Sequence, residues 1–280
     1  MRTDRKGVLF VVAAAIFYSI GGLCIKLIPW SGLSINGGRS AIAMLVLMLY
    51  LKAIRHKIRF NCWILLGSIG VFGTNTLFAI ANKMTTAANA IVLQFTAPIF
   101  VLLFGFAFFG RKPKKLDVWS CAVVFGGIAF VFVDSLSMGG TLGNVIALFS
   151  GVSYAVMFML NDLPDSDPLS SVFWGYLMSA LIGVPSIMGE TNFEPRVLLT
   201  LLILGVFQLA LGHICLCIGI STTPPVTACL ASGIEPVLNP ILVAIFYGET
   251  IGFFALIGAV IVIAGVVAYN MIDAKTEKIC

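Results

Sequence analysis

Apolar residues run along this chain in blocks of about twenty, separated by a few polar or charged positions. Ten blocks stand out, roughly at 7–28, 32–52, 61–82, 85–109, 116–134, 141–161, 168–189, 197–221, 223–247 and 251–272. A helix of ~20 residues spans the ~30 Å apolar layer of a bilayer. The pattern therefore predicts an all-α membrane protein with ten transmembrane helices. The first block has a basic start and an apolar core, as a signal peptide does. No small-residue cleavage site follows it and nine further blocks do, so it is read as a retained helix.

The blocks also repeat. APIFVLLFGFAFFG at 97–110 is similar to EPVLNPILVAIFYG at 235–248, at an offset of 138. The same offset pairs Pro98 with Pro236, Gly110 with Gly248 and Gly127 with Gly265, and an offset of 136 pairs Gly7 with Gly143 and Tyr18 with Tyr154. Apolar helices resemble one another by chance, but glycines and prolines kept at a nearly fixed spacing favour a genuine repeat. Two units are expected, 1–138 and 139–280, of five helices each. Five is odd, so the second unit enters the membrane from the opposite side. Such inverted repeats belong to transporters, with the substrate site near the midplane between the halves.

Composition agrees with a membrane location. Hydrophobic residues make up 60% of the 280 and charged residues 10%, against ~25% charged in a soluble domain. The net charge of +5 sits in short clusters between apolar blocks, so no nucleic-acid partner is expected. With the N-terminus in the cytoplasm, 13 of the 17 Lys and Arg lie on the cytoplasmic side, in residues 2–6, 52–59, 111–115 and 275–278. That asymmetry predicts an integral plasma (inner) membrane protein with both termini cytoplasmic. Lys26, Arg39, Lys83 and Arg196 are the exceptions. The seven cysteines lie mostly inside the spans as small hydrophobes. No disulfide, metal site or cofactor is expected from their spacing.

Glu235-Pro236 with FYGE at 246–249, and Ala97-Pro98 with FFG at 108–110, carry a resemblance to a known family. The chain resembles the EamA-type members of the drug/metabolite transporter superfamily over essentially its whole length. Arg39, at the start of the second helix, also fits that family's pattern. The resemblance implies ten helices in two inverted five-helix repeats and export of small metabolites, often amino acids. One position departs: the family often has Glu after the glycine in both repeats, and Glu249 keeps it while Arg111 replaces it. At a membrane edge, this change is not expected to touch transport.

The polar residues inside the spans are the candidate site. A carboxylate at the depth of Glu235 costs several kcal/mol unless paired, hydrated or protonated. Pro236 and Pro240 cannot bond to the carbonyls of Ser232 and Pro236, and Asn239 follows Glu235 by one turn, so a polar pocket on a bent helix is expected there. Pro98 frees the Gln94 carbonyl in the same way in the first half. His213 lies beside a stripe of Gly205, Gly212 and Gly219, and its titration range suits a proton relay or a neutral interhelical bond. Gln94, Asn75 and Gln208 are cavity groups or interhelical glue. Tyr18 and Tyr154, related by the repeat, either line one cavity from both sides, with Trp174 beside them, or pack as aromatics in spans usually do. Arg39 is expected to snorkel, pair with a carboxylate or hold an anion, with a structural or gating role favoured.

No nucleophile with its base, metal cluster or phosphate loop is visible, and no nucleotide-binding domain, so the chain is not expected to be an enzyme. The partners expected are a small-molecule substrate, the lipid bilayer and protons. Glu235 and His213 are the expected coupling residues in a substrate/proton antiport. Facilitated diffusion, with Glu235 as a binding or structural group, is the competing expectation.

Overall fold

The computed structural model describes residues 5–138, 140–248 and 252–276. Glu249 lies outside the described residues. Ten rods follow in chain order: α1 (Arg5–Leu27), α2 (Gly32–Ala53), α3 (Cys62–Met84), α4 (Ala87–Phe109), α5 (Lys115–Met138), α6 (Thr141–Phe158), α7 (Pro168–Ile187), α8 (Pro195–Ile220), α9 (Pro225–Tyr247) and α10 (Phe253–Thr276). Among the described residues, eight of them are long and apolar enough to cross a membrane. Polar residues at the block ends start them: the Ser31, Asn61 and Thr86 side chains accept the backbone N–H three residues on, opening α2, α3 and α4. Such caps contribute ~1 kcal/mol each. The large side chains left outside, such as Leu49, Phe108 and Phe253, are apolar, as a surface bathed in lipid requires.

Four rods are interrupted. α4 breaks between its halves Ala87–Gln94 and Ala97–Phe109, and α9 breaks at a 3₁₀ turn, Ser232–Ile234, before the half Glu235–Tyr247. These half-helices keep the offset of 138. Pro98 and Pro236 each occupy the first turn, where a missing N–H leaves nothing unsatisfied. Gly110 and Gly248 each end their half with a left-handed φ, +62° and +75°, a conformation glycine adopts without steric cost. α1 breaks at Ile20, and α8 widens into a π-helical stretch, Leu204–Leu211. Of the prolines read as helix breakers, only Pro240 lies inside a continuous half-helix.

The packing has a two-fold character. α1 packs on α8 as α6 packs on α3; α4 lies on α6 as α9 lies on α1; and α2–α7 and α5–α10 pair each helix with its own counterpart. Exchanging the two five-helix repeats maps these pairings onto one another. The fold is thus an all-α membrane protein of two inverted five-helix repeats. Glycine sets the closest approach. A Cβ on Gly37 of α2 would lie 2.2 Å from the Gly183 carbonyl carbon of α7, and one on Gly127 of α5 would lie 2.7 Å from the Gly258 oxygen of α10. The glycine stripe of α8 works likewise, since Gly205 meets Ile42 and Gly212 and Gly219 meet Tyr18 and Val11. α5 and α10 sit at the edge, as their low polarity suggests. Among the described residues, a Tyr269 hydroxyl donated to Asp117 Oδ1 at 2.9 Å joins them.

The halves also meet at the basic end of the bundle. The Arg111 guanidinium donates to both Asp162 oxygens, at 2.6 and 2.8 Å. The substitution that departs from the family pattern therefore ties the α4–α5 loop to the loop after α6. Beside it lies a chamber of about 270 Å³ lined by Arg111, Lys112, Asp117 and Thr227. Arg111 is half exposed, so solvent screening keeps the pair small, at about 0.2–1 kcal/mol. Arg111→Ala is expected to lower stability by no more than that. The charge-swapped pair Arg111→Asp with Asp162→Arg should recover most of the loss, read by thermal unfolding in detergent.

Candidate functional site

The interrupted helices bring their polar residues to one place. A small cavity of about 20 Å³ lies between the repeats, lined by Tyr18 of α1, Asn75 of α3, Gln94 of α4, Tyr154 of α6, His213 of α8 and Glu235 of α9. Six of the residues singled out from the sequence thus converge. Gln208, singled out only as a polar group at depth, joins them, as do Thr74, Phe78 and Met157, which carried no sequence signal beyond lying in a span. By volume the cavity holds little more than one water-sized sphere.

Glu235 opens its half-helix and is buried, with 4% of its surface exposed. The Tyr154 hydroxyl donates to Glu235 Oε2 at 2.9 Å, which ties α6 to α9 within the second repeat. No Lys or Arg among the described residues pairs with Glu235. A helix N-terminus favours negative charge, so the break in α9 places the carboxylate where backbone dipoles support it.

His213 is buried, and its Nδ1 lies 2.9 Å from the Leu209 carbonyl. That contact assigns the proton to Nδ1 and leaves Nε2 as an acceptor. The Leu209 carbonyl also receives the Tyr176 hydroxyl at 2.8 Å. Leu209 sits within the π-helical stretch, where the ladder is irregular and carbonyls are freed for side chains. Tyr18 and Tyr176 meet the imidazole edge-on, at 5.3 and 5.4 Å between ring centres. The Tyr18 hydroxyl, Asn75 Nδ2 and His213 Nε2 have no hydrogen-bond partner within the protein. An unmet buried polar group costs ~1–3 kcal/mol. Three of them around one cavity, beside a carboxylate, form a surface suited to a hydrogen-bonding ligand.

Two candidates lie elsewhere. Asn239 is buried against α1, where a Cβ on Gly22 would come within 2.1 Å of its Oδ1. It shares a face with Glu235, but four residues carry it ~6 Å along the axis, past the cavity wall. Trp174 donates its indole N–H to the Arg59 carbonyl at 3.0 Å and contacts the Phe60 and Phe173 rings. α7 begins at Pro168, so Trp174 is only ~9 Å from its end, at the interface depth that tryptophan favours. Pro98 and Pro236 start the half-helices after the breaks, Pro240 lies inside its half-helix, and none of the three lines the cavity. Pro236 and Pro240 border a separate apolar groove against Leu256 and Val260 of α10. Among the described residues no cluster of three metal-binding side chains gathers.

Arg39 is the residue whose place the sequence left most open. It does not snorkel and is fully buried. Its Nε and Nη2 donate to Asn36 Oδ1 at 3.2 and 3.1 Å, Nη2 also to the Asn75 carbonyl at 2.8 Å, and Nη1 to Gln208 Oε1 at 3.0 Å. Asn36 is itself held by a bond to Thr76 Oγ1 at 2.9 Å. Two of these supports, Asn75 and Gln208, are cavity-lining residues.

Comparison with known proteins adds the following. The sequence pattern of the EamA-like transporter family matches residues 5–133 and again 141–271. An uncharacterized transporter of Clostridium kluyveri is 27% identical over 93% of this chain and 92% of its own length. The threonine/homoserine exporter RhtA of Escherichia coli K12 is 26% identical over 97% of this chain and 93% of its own. A solved crystal structure, 16% identical, superposes with a TM-score of 0.72 over 98% of this chain and 100% of that one. At that identity it speaks for the fold alone.

Proposed function

We propose, from the premise that the chain belongs to the EamA-like transporter family, that it exports a small amino acid or related amine across the plasma (inner) membrane by alternating access. The observation that carries this reading is the buried carboxylate of Glu235, which faces a central cavity at the break of a helix. Residues 1–138 and 139–280 are the two repeat units. Rocking one against the other exchanges which side of the cavity is closed. A cavity of about 20 Å³ is far smaller than an amino acid, so the half-helices of α4 and α9 must part for substrate to enter. The basic end, with Arg111 and the loop after α6, is taken as the cytoplasmic side, and the excess of Lys and Arg there supports cytoplasmic termini. The name of the RhtA relative, a threonine/homoserine exporter, supports the amino-acid class and the outward direction.

Glu235 and His213 supply the coupling. A buried carboxylate with one hydroxyl partner and no cation is ready to exchange a proton for a cationic group as the cavity opens. Substrate and proton then move in opposite directions. Proteoliposomes loaded with a panel of amino acids test this without ATP. A pH gradient should drive accumulation of at least one of them against its own gradient. Conversion of the substrate without net movement would instead mark an enzyme. Movement that only equalises concentrations would mark facilitated diffusion.

A further inference from the structure

The central cavity is backed by a buried guanidinium and lined by a buried carboxyl group, and the two do not pair. Arg39 is fully buried and hydrogen-bonded only to neutral oxygens, from Asn36, Asn75 and Gln208. Glu235 is buried and bonded to the Tyr154 hydroxyl. Buried charges are ordinarily neutralised by an opposite charge. Here the guanidinium is held by neutral dipoles alone, although an unpaired carboxyl group belongs to the same polar cluster. Arg39 also uses four of its five N–H groups, and the remaining one is on Nη1, the nitrogen that faces Gln208. Gln208 is the single side chain that both bonds this guanidinium and lines the cavity. It sits in the π-helical stretch of α8, where the ladder is looser and a shift of the side chain meets less resistance.

We propose that Arg39 is the carboxylate-binding residue of the transport site, reached when Gln208 swings aside, with Glu235 taking the ammonium of the same substrate. The site is then built for a zwitterion, an α-amino acid with both groups free. A diamine, a simple amine or a neutral amide matches it at one end only. The arrangement also explains why the fold keeps a charge at Arg39. A guanidinium N–H to a carboxylate is a charge-assisted hydrogen bond, and the neutral Gln208 oxygen holds that place on Nη1 when the cavity is small. This assignment deepens the exporter reading and rests on it.

Ligand competition in proteoliposomes tests it. The probe is whichever amino acid of the panel the protein moves best, competed by three compounds: the unlabelled amino acid itself, its carboxamide, and the 2-hydroxy acid that lacks the ammonium. The wild-type protein should prefer the amino acid over both analogues by tenfold or more. Arg39→Gln should lose the preference over the carboxamide while keeping that over the hydroxy acid. Glu235→Gln should do the reverse. Should Arg39→Gln fail to fold, the wild-type series alone decides. A carboxamide that competes as well as the amino acid overturns the proposal and leaves the exporter reading intact. An Arg39→Gln protein that still discriminates against the carboxamide by tenfold also overturns it. If no amino acid moves at all, the exporter reading falls and takes this assignment with it.

Discussion

Glu235→Gln should abolish uphill transport while sparing downhill flux. The exchange is nearly isosteric, and the Gln carbonyl oxygen can still receive the Tyr154 hydroxyl that now reaches Glu235 Oε2 at 2.9 Å. The fold and the cavity should therefore persist. What disappears is the group that alternately holds a proton and a cation. A gradient of one pH unit is worth ~1.4 kcal/mol per proton, so one-for-one antiport accumulates substrate about tenfold. The variant should fall to a ratio of one under the same gradient, while exchange of labelled for unlabelled substrate continues. Accumulation that survives with unchanged pH dependence would remove Glu235 from the coupling step. His213→Gln should lower uphill transport without abolishing it, because an amide N–H can reproduce the orienting bond to Leu209 but not the proton exchange that assists Glu235.

The largest effect on the fold is expected at Gly37. A methyl group there would sit 2.2 Å from the Gly183 carbonyl carbon and 2.4 Å from the Val184 nitrogen. Both are backbone atoms, and neither can turn away as a side chain would. α2 and α7, which pair across the pseudo-two-fold axis, must then separate along their contact. Overpacking of this kind costs ~1–3 kcal/mol and sometimes more. Gly37→Ala should show the upper part of that range as a lower unfolding temperature in detergent. Gly126→Ala is the matched control, since a Cβ there meets no atom within 4 Å. It should be neutral, or stabilising by ~0.5–1 kcal/mol through the better helix propensity of alanine. Equal losses at both positions would mean that the Gly37–Gly183 approach does not set the spacing.

Much of this molecule is legible along the chain, because its constraints are local. A helix in lipid must be about twenty apolar residues long, and all ten rods lie within a few residues of the blocks read from the sequence. Proline and glycine act on their own backbone. The spacing that pairs Pro98 with Pro236 and Gly110 with Gly248 thus reappears as matching half-helix starts and left-handed ends. A polar residue deep in a span must face protein, so Tyr18, Asn75, Gln94, Tyr154, His213 and Glu235 could be gathered into one list before their contacts were known.

Which of them meet was decided by tertiary structure. Asn239 follows Glu235 by one turn and Trp174 lies in a span, yet one packs on Gly22 and the other bonds to Arg59. Periodicity fixes the face of a helix, but the depth of each side chain depends on where the helix starts and how it is tilted against its neighbours. Arg39 shows the same limit most clearly. Its bond to Gln208 joins residues 169 positions apart, on helices of different repeats. Sequence alone determined that a charge lay within a span; only the packing of α2 against α3 and α8 turned it inward, behind the cavity-lining Asn75 and Gln208. The reason is that lipid selects the composition of a helix face residue by residue, whereas a buried guanidinium is held by whichever dipoles the whole fold brings within hydrogen-bonding reach.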